Sequence, residues 1–365
     1  MTFPWAPGSA TGIGSLPGID IAEAVKTVFG EVSLPYLPEL PARGPGADMI
    51  GRSAGLLVDL PVDLYAAQWR VVSHGGRDLR RTRDLWQRDL DALADAASDF
   101  DGLVKIQVAG PWTLAASIDL PIGGRMLRDP GAVRDLTGSL AEGIAQHVAD
   151  LHRRLPSARF LVQLDEPSLP AVLAGRVPTE SGYGTLRSVD ATAASSALRD
   201  VVAAAASGTD GVVIHCCAPD APLELIRDAG AIAAAIDLDL VTNLDQLGEV
   251  LDGGLGLFAG AIPTAPRRPG RAETDAAAPS PDAAPGPADP ATGDPDVTAD
   301  PRPSRLAADA ANRIRDLWRE IGFSPNHLAE QVVVTPACGL AGASAGYARA
   351  VTTACREAAQ RLADD

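Results

Sequence analysis

The feature that most constrains the fold is a series of eight short apolar runs, each separated from the next by an amphipathic or polar stretch. Runs of this length predict buried strands, and helical periodicity between them predicts helices. The predicted strands are Ala10–Ser15, Leu34–Pro38, Leu103–Ala109, Arg159–Asp165, Gly211–Cys216, Ala231–Asp239, Leu255–Ala261 and Gln331–Thr335. The predicted helices include Leu85–Ala97, Ala132–Arg154, Ala191–Ala206, Leu223–Ala229, Leu244–Leu251, Leu306–Ile321 and Ala345–Leu362. This alternation favours a single-domain α/β fold over residues 1–365, a (β/α)₈ TIM barrel, although a doubly wound sheet would show the same alternation.

One segment, residues 265–304, interrupts the series. It holds ten of the 30 prolines, no aromatic residue, and neither leucine nor isoleucine. Such a composition cannot bury enough apolar surface to offset the entropy of ordering the chain. We therefore expect a disordered loop inserted after the seventh strand.

Composition excludes several classes of protein. With 365 residues and 46% hydrophobic content, the chain can bury a large core. Its formal net charge of -16 argues against a nucleic-acid partner, because phosphate binding requires a basic surface. The chain shows neither a run long enough to span a bilayer nor a signal-peptide pattern at its start. Four cysteines, two of them adjacent, do not form a disulfide framework, so the expected location is the cytoplasm.

Polar residues gather where the predicted strands end. Six of them lie at or just after such an end: Ser15, Glu39, Asp165, His215, Asp239 and Cys338. In a (β/α)₈ barrel this is the face that carries the active site. Loops after strands are polar in any protein, so one or two of the six could stand there by chance.

The triplet His215-Cys216-Cys217 closes the fifth predicted strand, and Cys338 follows the eighth. Zinc prefers imidazole nitrogen and thiolate sulfur. Since residues two apart in a strand point to the same side, His215 and Cys217 can face one metal while Cys216 points elsewhere. The alternative is structural, because buried cysteines are common in apolar strands.

Four short motifs carry a resemblance to a known family. They are Ile13-Gly14-Ser15-Leu16-Pro17, Gln163-Leu164-Asp165-Glu166-Pro167, His215-x-Cys217 and Pro336-x-Cys338-Gly339-Leu340. In this order they resemble the C-terminal catalytic domain of cobalamin-independent methionine synthase. The superfamily of that domain also includes uroporphyrinogen decarboxylase and corrinoid-dependent methyltransferases. The resemblance implies a (β/α)₈ barrel that binds Zn²⁺ and transfers a methyl group to the thiol of homocysteine or a related compound.

The resemblance also implies a set of metal ligands. The family holds zinc by a histidine, a glutamate and two cysteines, which correspond to His215, Cys217 and Cys338 with a carboxylate after the next strand. Counting forward from Cys217 places that carboxylate at Asp239, one methylene shorter than glutamate. Asp237 is the other candidate for this carboxylate. If neither reaches the metal, the site has three protein ligands.

By the same resemblance, an amino-acid substrate would lie beside the metal. Asp165, the predicted catalytic residue, and Glu39 would hold its ammonium group, and Ser15 with the backbone at Ile13 would hold its carboxylate. The sequence does not distinguish methylfolate from a corrinoid protein as the methyl donor. Two other functions compete with methyl transfer: a metal-free decarboxylase-like enzyme, and a non-enzymatic zinc- or thiol-binding protein.

Overall fold

The protein is built around a parallel six-stranded β-sheet, as a computed structural model describes it for residues 2–266 and 302–364. An antiparallel hairpin, β1 (Val62–Tyr65) and β2 (Gln68–Val71), precedes the sheet. The sheet strands follow one another in chain order as β3 (Leu103–Ala109), β4 (Arg159–Asp165), β5 (Val212–Cys216), β6 (Ala233–Asp237), β7 (Gly256–Ile262) and β8 (Val332–Pro336). This curled parallel sheet confirms the α/β class and is consistent with a TIM-barrel-like fold.

Helices connect the strands and cover the outer face of the sheet. They are α1 (Ile21–Glu31), α2 (Met49–Ala54), α3 (Arg77–Ala96), α4 (Pro111–Ser117), α5 (Pro130–Arg154), α6 (Leu169–Leu173), α7 (Ala191–Ala206), α8 (Leu223–Asp228), α9 (Leu244–Asp252), α10 (Pro303–Glu320), α11 (Leu328–Gln331) and α12 (Ala345–Ala363). Local signals set several starts: Asp129 accepts hydrogen bonds from Gly131 and Ala132 at the beginning of α5, and Asp190 caps α7 in the same way. Within the described ranges, the helices are too short or too polar to cross a membrane.

The first two predicted strands are irregular extended segments rather than strands of the sheet. Segment 9–15 is hydrogen-bonded to β8 through Thr11 N and Val334 O at 3.1 Å, and to segment 33–39 through Leu34 N and Ala10 O at 3.0 Å. Segment 33–39 reaches β3 through Lys105 N and Pro35 O at 2.8 Å. Proline cannot donate to a ladder, and glycine weakens one, so these segments form isolated bridges only.

The strands present two different faces. Residues such as Val104, Val162 and Ile214 point outward into a large core shared with the helices. The inner face begins at the amino-terminal ends of the strands with an apolar cluster, called here the lower layer: Trp5, Ile13, Leu34, Leu103, Leu161, Val213, Ala233, Ala235, Phe258 and Val333. Two to four residues further along β3, β4 and β5 lies the upper layer, defined as Lys105, Gln107, Gln163, Asp165 and His215, all of them buried.

Other element boundaries depart modestly from the predictions. β6 ends at Asp237, not Asp239, because a 3₁₀ turn over Leu238–Leu240 follows it directly. α10 begins at Pro303, inside the predicted loop 265–304. Residues 267–301 of that loop lie outside the described residues. The hairpin of β1 and β2 was not predicted from the sequence.

Candidate metal centre

Three predicted metal ligands come together at the carboxyl ends of the strands. His215 lies in β5, Cys217 follows it, and Cys338 lies two residues after β8. Their candidate ligand atoms all lie within 4.8 Å of one another. The two sulfurs, Cys217 Sγ and Cys338 Sγ, are 3.1 Å apart. A histidine and two cysteines in this arrangement form a donor set suited to zinc.

A carboxylate orients the histidine. The Nδ1 atom of His215 lies 2.8 Å from Oδ1 of Asp165, so the proton of the neutral ring belongs on Nδ1. Its Nε2 atom is buried and has no hydrogen-bond partner among the described residues. A buried ring nitrogen left without a partner is a free electron-pair donor. The residues present therefore fit a metal ion bound between this nitrogen and the two sulfurs.

The charges of the three groups also fit a cation. The pKa of Cys338 is held well below its ordinary value because it shares a hydrogen bond with Cys217 and His215 lies beside it. The same interaction and burial raise the pKa of Cys217. Burial would lower the pKa of His215, but its interactions with Asp165 and with the nearby Cys338 outweigh burial and raise the value to about 9. Without a metal, the protons shared among Cys217, Cys338 and His215 stabilise the cluster. A bound cation would replace those protons.

The two candidate carboxylates lie differently. Asp239 is exposed, and its Oδ1 forms an ion pair with Nη2 of Arg313 at 2.6 Å. Asp237 shares the inner face of β6 with Ala233 and Ala235, and the charge of Cys338 is one cause of its raised pKa, after burial. Within the described parts of the chain, neither carboxylate belongs to the group of three ligand atoms.

The predicted substrate-binding residues surround the cluster. Asp165 and Glu39 are both buried, and burial raises the pKa of Glu39 to about 7, with Asp165 adding to the effect and Arg52 opposing it. Ser15 lies against the turn after Cys338, where its carbonyl accepts a hydrogen bond from Leu340 N at 2.8 Å. A Cβ atom on Gly339 would stand 2.2 Å from Ser15 Oγ, so a larger residue there would displace the Ser15 hydroxyl.

The backbone at Ile13 is already engaged. Its carbonyl oxygen accepts hydrogen bonds from Lys105 Nζ at 3.1 Å and from Gln163 Nε2 at 2.8 Å. Sequence reasoning missed Lys105, Gln107 and Gln163 as members of the site. The signal was present: three polar residues stand at alternate positions within strands that are otherwise apolar.

The two acidic residues at the end of β4, Asp165 and Glu166, have different roles. Asp165 faces the cluster, whereas Glu166 accepts hydrogen bonds from Trp112 N at 3.0 Å and from Thr113 N and Oγ1 at 2.8 Å each. Glu166 therefore caps the beginning of α4, although the sequence offered no obvious helix for this pair to cap.

A separate cavity of about 1160 Å³ shares Trp112 and is otherwise lined mainly by α5, α7 and the segment before α7.

Comparison with known proteins supports the fold. A B12-independent methionine synthase from Shewanella sp. W3-18-1, solved in complex with selenomethionine, matches with a TM-score of 0.57 and 10% sequence identity. The match covers 98% of each chain. This protein is thus similar in fold to a methionine synthase along nearly its whole length. Neither the protein-family models nor the curated proteins gave a match.

Proposed function

We propose that this protein is a zinc-dependent methyltransferase that moves a methyl group to the thiol of homocysteine or a related thiol. The observation that carries the proposal is the convergence of His215, Cys217 and Cys338, with a buried ring nitrogen left for the metal. The fold likeness to a methionine synthase that binds selenomethionine supports the same reaction class.

The proposed site divides the work between metal and protein. Zinc, when bound, lowers the pKa of a coordinated thiol and holds it as a nucleophilic thiolate. His215, Cys217 and Cys338 would hold the ion, and we propose Asp237, on the inner face of β6, rather than Asp239 as the nearest carboxylate that could join them. Asp165 and Glu39 would bind the substrate ammonium, with Ser15 at its carboxylate.

The finer fold belongs to the same proposal. We propose a (β/α)₈ barrel in which segments 9–15 and 33–39 stand as the first two strands, because they are hydrogen-bonded between β8 and β3. The upper layer would then form the floor of the active site. A reducing cytoplasm is the proposed location, since the site requires free thiols.

Zinc content tests the metal site. The purified protein is expected to bind about one zinc per chain. Cys217→Ser and Cys338→Ser should lose it, while Cys216→Ser, which changes a buried neighbour outside the ligand group, should keep it. If both ligand variants keep their zinc, the metal site is wrong.

A methyl-transfer assay tests the reaction. The zinc-loaded protein would be incubated with homocysteine and a panel of donors, namely methyltetrahydrofolate, its polyglutamate and methylcobalamin, and methionine would be measured. Production of methionine with one donor, and none in Cys338→Ser, supports the proposal and identifies the donor. A zinc-loaded protein that methylates no thiol with any donor contradicts it, and a metal-free decarboxylase becomes the next candidate.

A further inference from the structure

Lys105 is an unusual residue for its place in the fold. It is one of only two lysines in the chain, and it stands in the middle of β3 on the inner face of the sheet with no solvent exposure. Lysine is almost never fully buried without a partner. Here the amine donates three hydrogen bonds to uncharged carbonyl oxygens: Gln163 Oε1 at 2.8 Å, Ile13 O at 3.1 Å and Gln107 Oε1 at 3.4 Å.

These contacts determine how the amide of Gln163 is oriented. Because an amine donor faces Oε1 of Gln163, the Nε2 end must point the other way. There it donates to Ile13 O at 2.8 Å and to Asp165 Oδ1 at 2.7 Å. The reversed amide would place two hydrogen-bond donors against each other at Lys105 and an oxygen against the Asp165 carboxylate.

The same carboxylate oxygen orients the metal-binding histidine. Asp165 Oδ1 accepts from Gln163 Nε2 and from His215 Nδ1 at 2.8 Å. A continuous chain of hydrogen bonds therefore runs from Lys105 through Gln163 and Asp165 to His215. All four side chains are buried, so water does not readily replace any of these bonds.

We propose that Lys105 is a positioning residue of the metal site, which acts through Gln163 and Asp165 to hold the His215 ring with Nε2 toward the two cysteine sulfurs. The proposal rests on the metal site of the proposed function. A polar residue that breaks the apolar pattern of a buried strand is expected where function requires it. Burial lowers the pKa of Lys105 to about 7, because desolvation disfavours its charged ammonium form.

The test compares variants of the residues that form the hydrogen-bonded path with a control variant outside that path. Lys105→Met removes the amine at similar volume, Gln163→Met removes the amide, and the double variant removes both. Leu103→Met is the matched control, since Leu103 lies two residues earlier on the same face of β3, in the lower layer. Zinc affinity would be measured on the full chain by competition with a chelator, and the visible absorption spectrum would be measured after loading with Co²⁺.

Each single variant should weaken zinc binding about tenfold, as expected for groups that support a metal-binding histidine. Both should change the Co²⁺ spectrum in the same way, because each removes part of the hydrogen-bonded path that holds the His215 ring in place. The double variant should bind zinc no more weakly than the worse single variant, since residues on one hydrogen-bonded path are coupled. Leu103→Met should leave affinity and spectrum unchanged.

Several results would overturn the proposal. One is a Lys105→Met protein with wild-type zinc affinity and spectrum, and another is a double variant whose two effects simply add. If Lys105→Met does not fold, Lys105→Leu, which also lacks a hydrogen-bond donor, replaces it, and unchanged zinc affinity in that variant overturns the proposal equally. A wild-type protein that binds no zinc overturns this proposal and the metal site together. If zinc binding responds as expected but no thiol is methylated, only the proposed function fails.

Discussion

The lower and upper layers of the inner face are built by the same strands, yet they differ in what they contribute. Leu103 and Leu161 of the lower layer pack among apolar side chains, whereas Lys105 and Gln163, two residues later, are joined by hydrogen bonds. Burial of apolar surface stabilises the lower layer without fixing any precise geometry. In the upper layer burial opposes the charged groups, and hydrogen bonds must offset the cost, so geometry is specified. Stability and site chemistry are thus separated along β3, β4 and β5 by one repeat of two residues.

Phe258 provides the strongest way to break the lower layer. This side chain has no exposure and packs edge-on against Trp5, with ring centroids 5.1 Å apart. Phe258→Ala is expected to lower the free energy of unfolding by about 3 to 5 kcal/mol, because it removes buried contacts and leaves a cavity. Denaturant unfolding measures the change. Tyr183→Ala, at an almost fully exposed position, should change stability by no more than about 0.5 kcal/mol. A loss of metal affinity in a folded Phe258→Ala protein would show that the layers are not separate.

Glu39, at the edge of the upper layer, should make stability depend on pH. Burial raises its pKa in the folded protein to about 7, so the folded state binds more protons than the unfolded state between the ordinary value and 7. Stability from this group is therefore lost as the pH rises through that range. Glu39→Gln stays neutral, so its stability relative to wild type should increase by on the order of 2 to 3 kcal/mol from about pH 5 to pH 8.

Denaturant unfolding of both proteins across this pH range measures the difference. Glu224→Gln, which changes an exposed glutamate, is the control and should give a constant difference. A Glu39→Gln protein whose relative stability does not change with pH would show that the carboxyl group is not desolvated.

His215 links the upper layer to the proposed metal site. His215→Ala would remove a proposed ligand and one hydrogen-bond partner of Asp165, so zinc affinity should fall by roughly one to two orders of magnitude. Chelator competition measures the affinity. His327→Ala, at an exposed position, should bind zinc as wild type does. Unchanged affinity in His215→Ala would remove this histidine from the ligand set.

The smallest effect distinguishes the two carboxylates after β6. Asp239→Asn breaks an exposed ion pair with Arg313 and should cost less than about 1 kcal/mol of stability, with zinc affinity unchanged. Asp237→Asn, on the inner face, should weaken zinc binding if this carboxylate completes the site. The opposite result, in which only Asp239→Asn affects zinc, would restore the ligand set that the family spacing implies.

Regular elements were the most predictable part of the molecule. β3 and β4 run over the predicted residues, and so does α7, because apolar residues dominate these segments and turn residues flank them. The two amino-terminal segments were predicted as strands because they are apolar and short. Their prolines and glycines prevent a continuous ladder, so tertiary contacts with β3 and β8 hold them in place instead.

The site was predictable only in part. His215 lies in β5 and Cys217 directly follows it, so the alternation of an extended chain places them on one side. The polar residues in β3 and β4 were visible in the sequence, but the roles of Lys105 and Glu166 could not be assigned from it, because their partners lie far away along the chain, at Ile13 and Trp112 among others. Asp239 was chosen as a ligand by counting residues forward from Cys217. A 3₁₀ turn begins at Leu238, so the strand ends before Asp239.

By itself, the sequence determined the order of strands and helices and which side chains could bind a metal, because periodicity and side-chain type are local properties. Only the tertiary structure decided that Cys338 meets Cys217 across 121 residues of chain, that Asp239 pairs with Arg313, and that Lys105 is linked to His215. Those outcomes depend on how the curled sheet brings distant strand ends together. Contacts between residues far apart in the chain arise from the packing of the whole fold, which local sequence pattern does not encode.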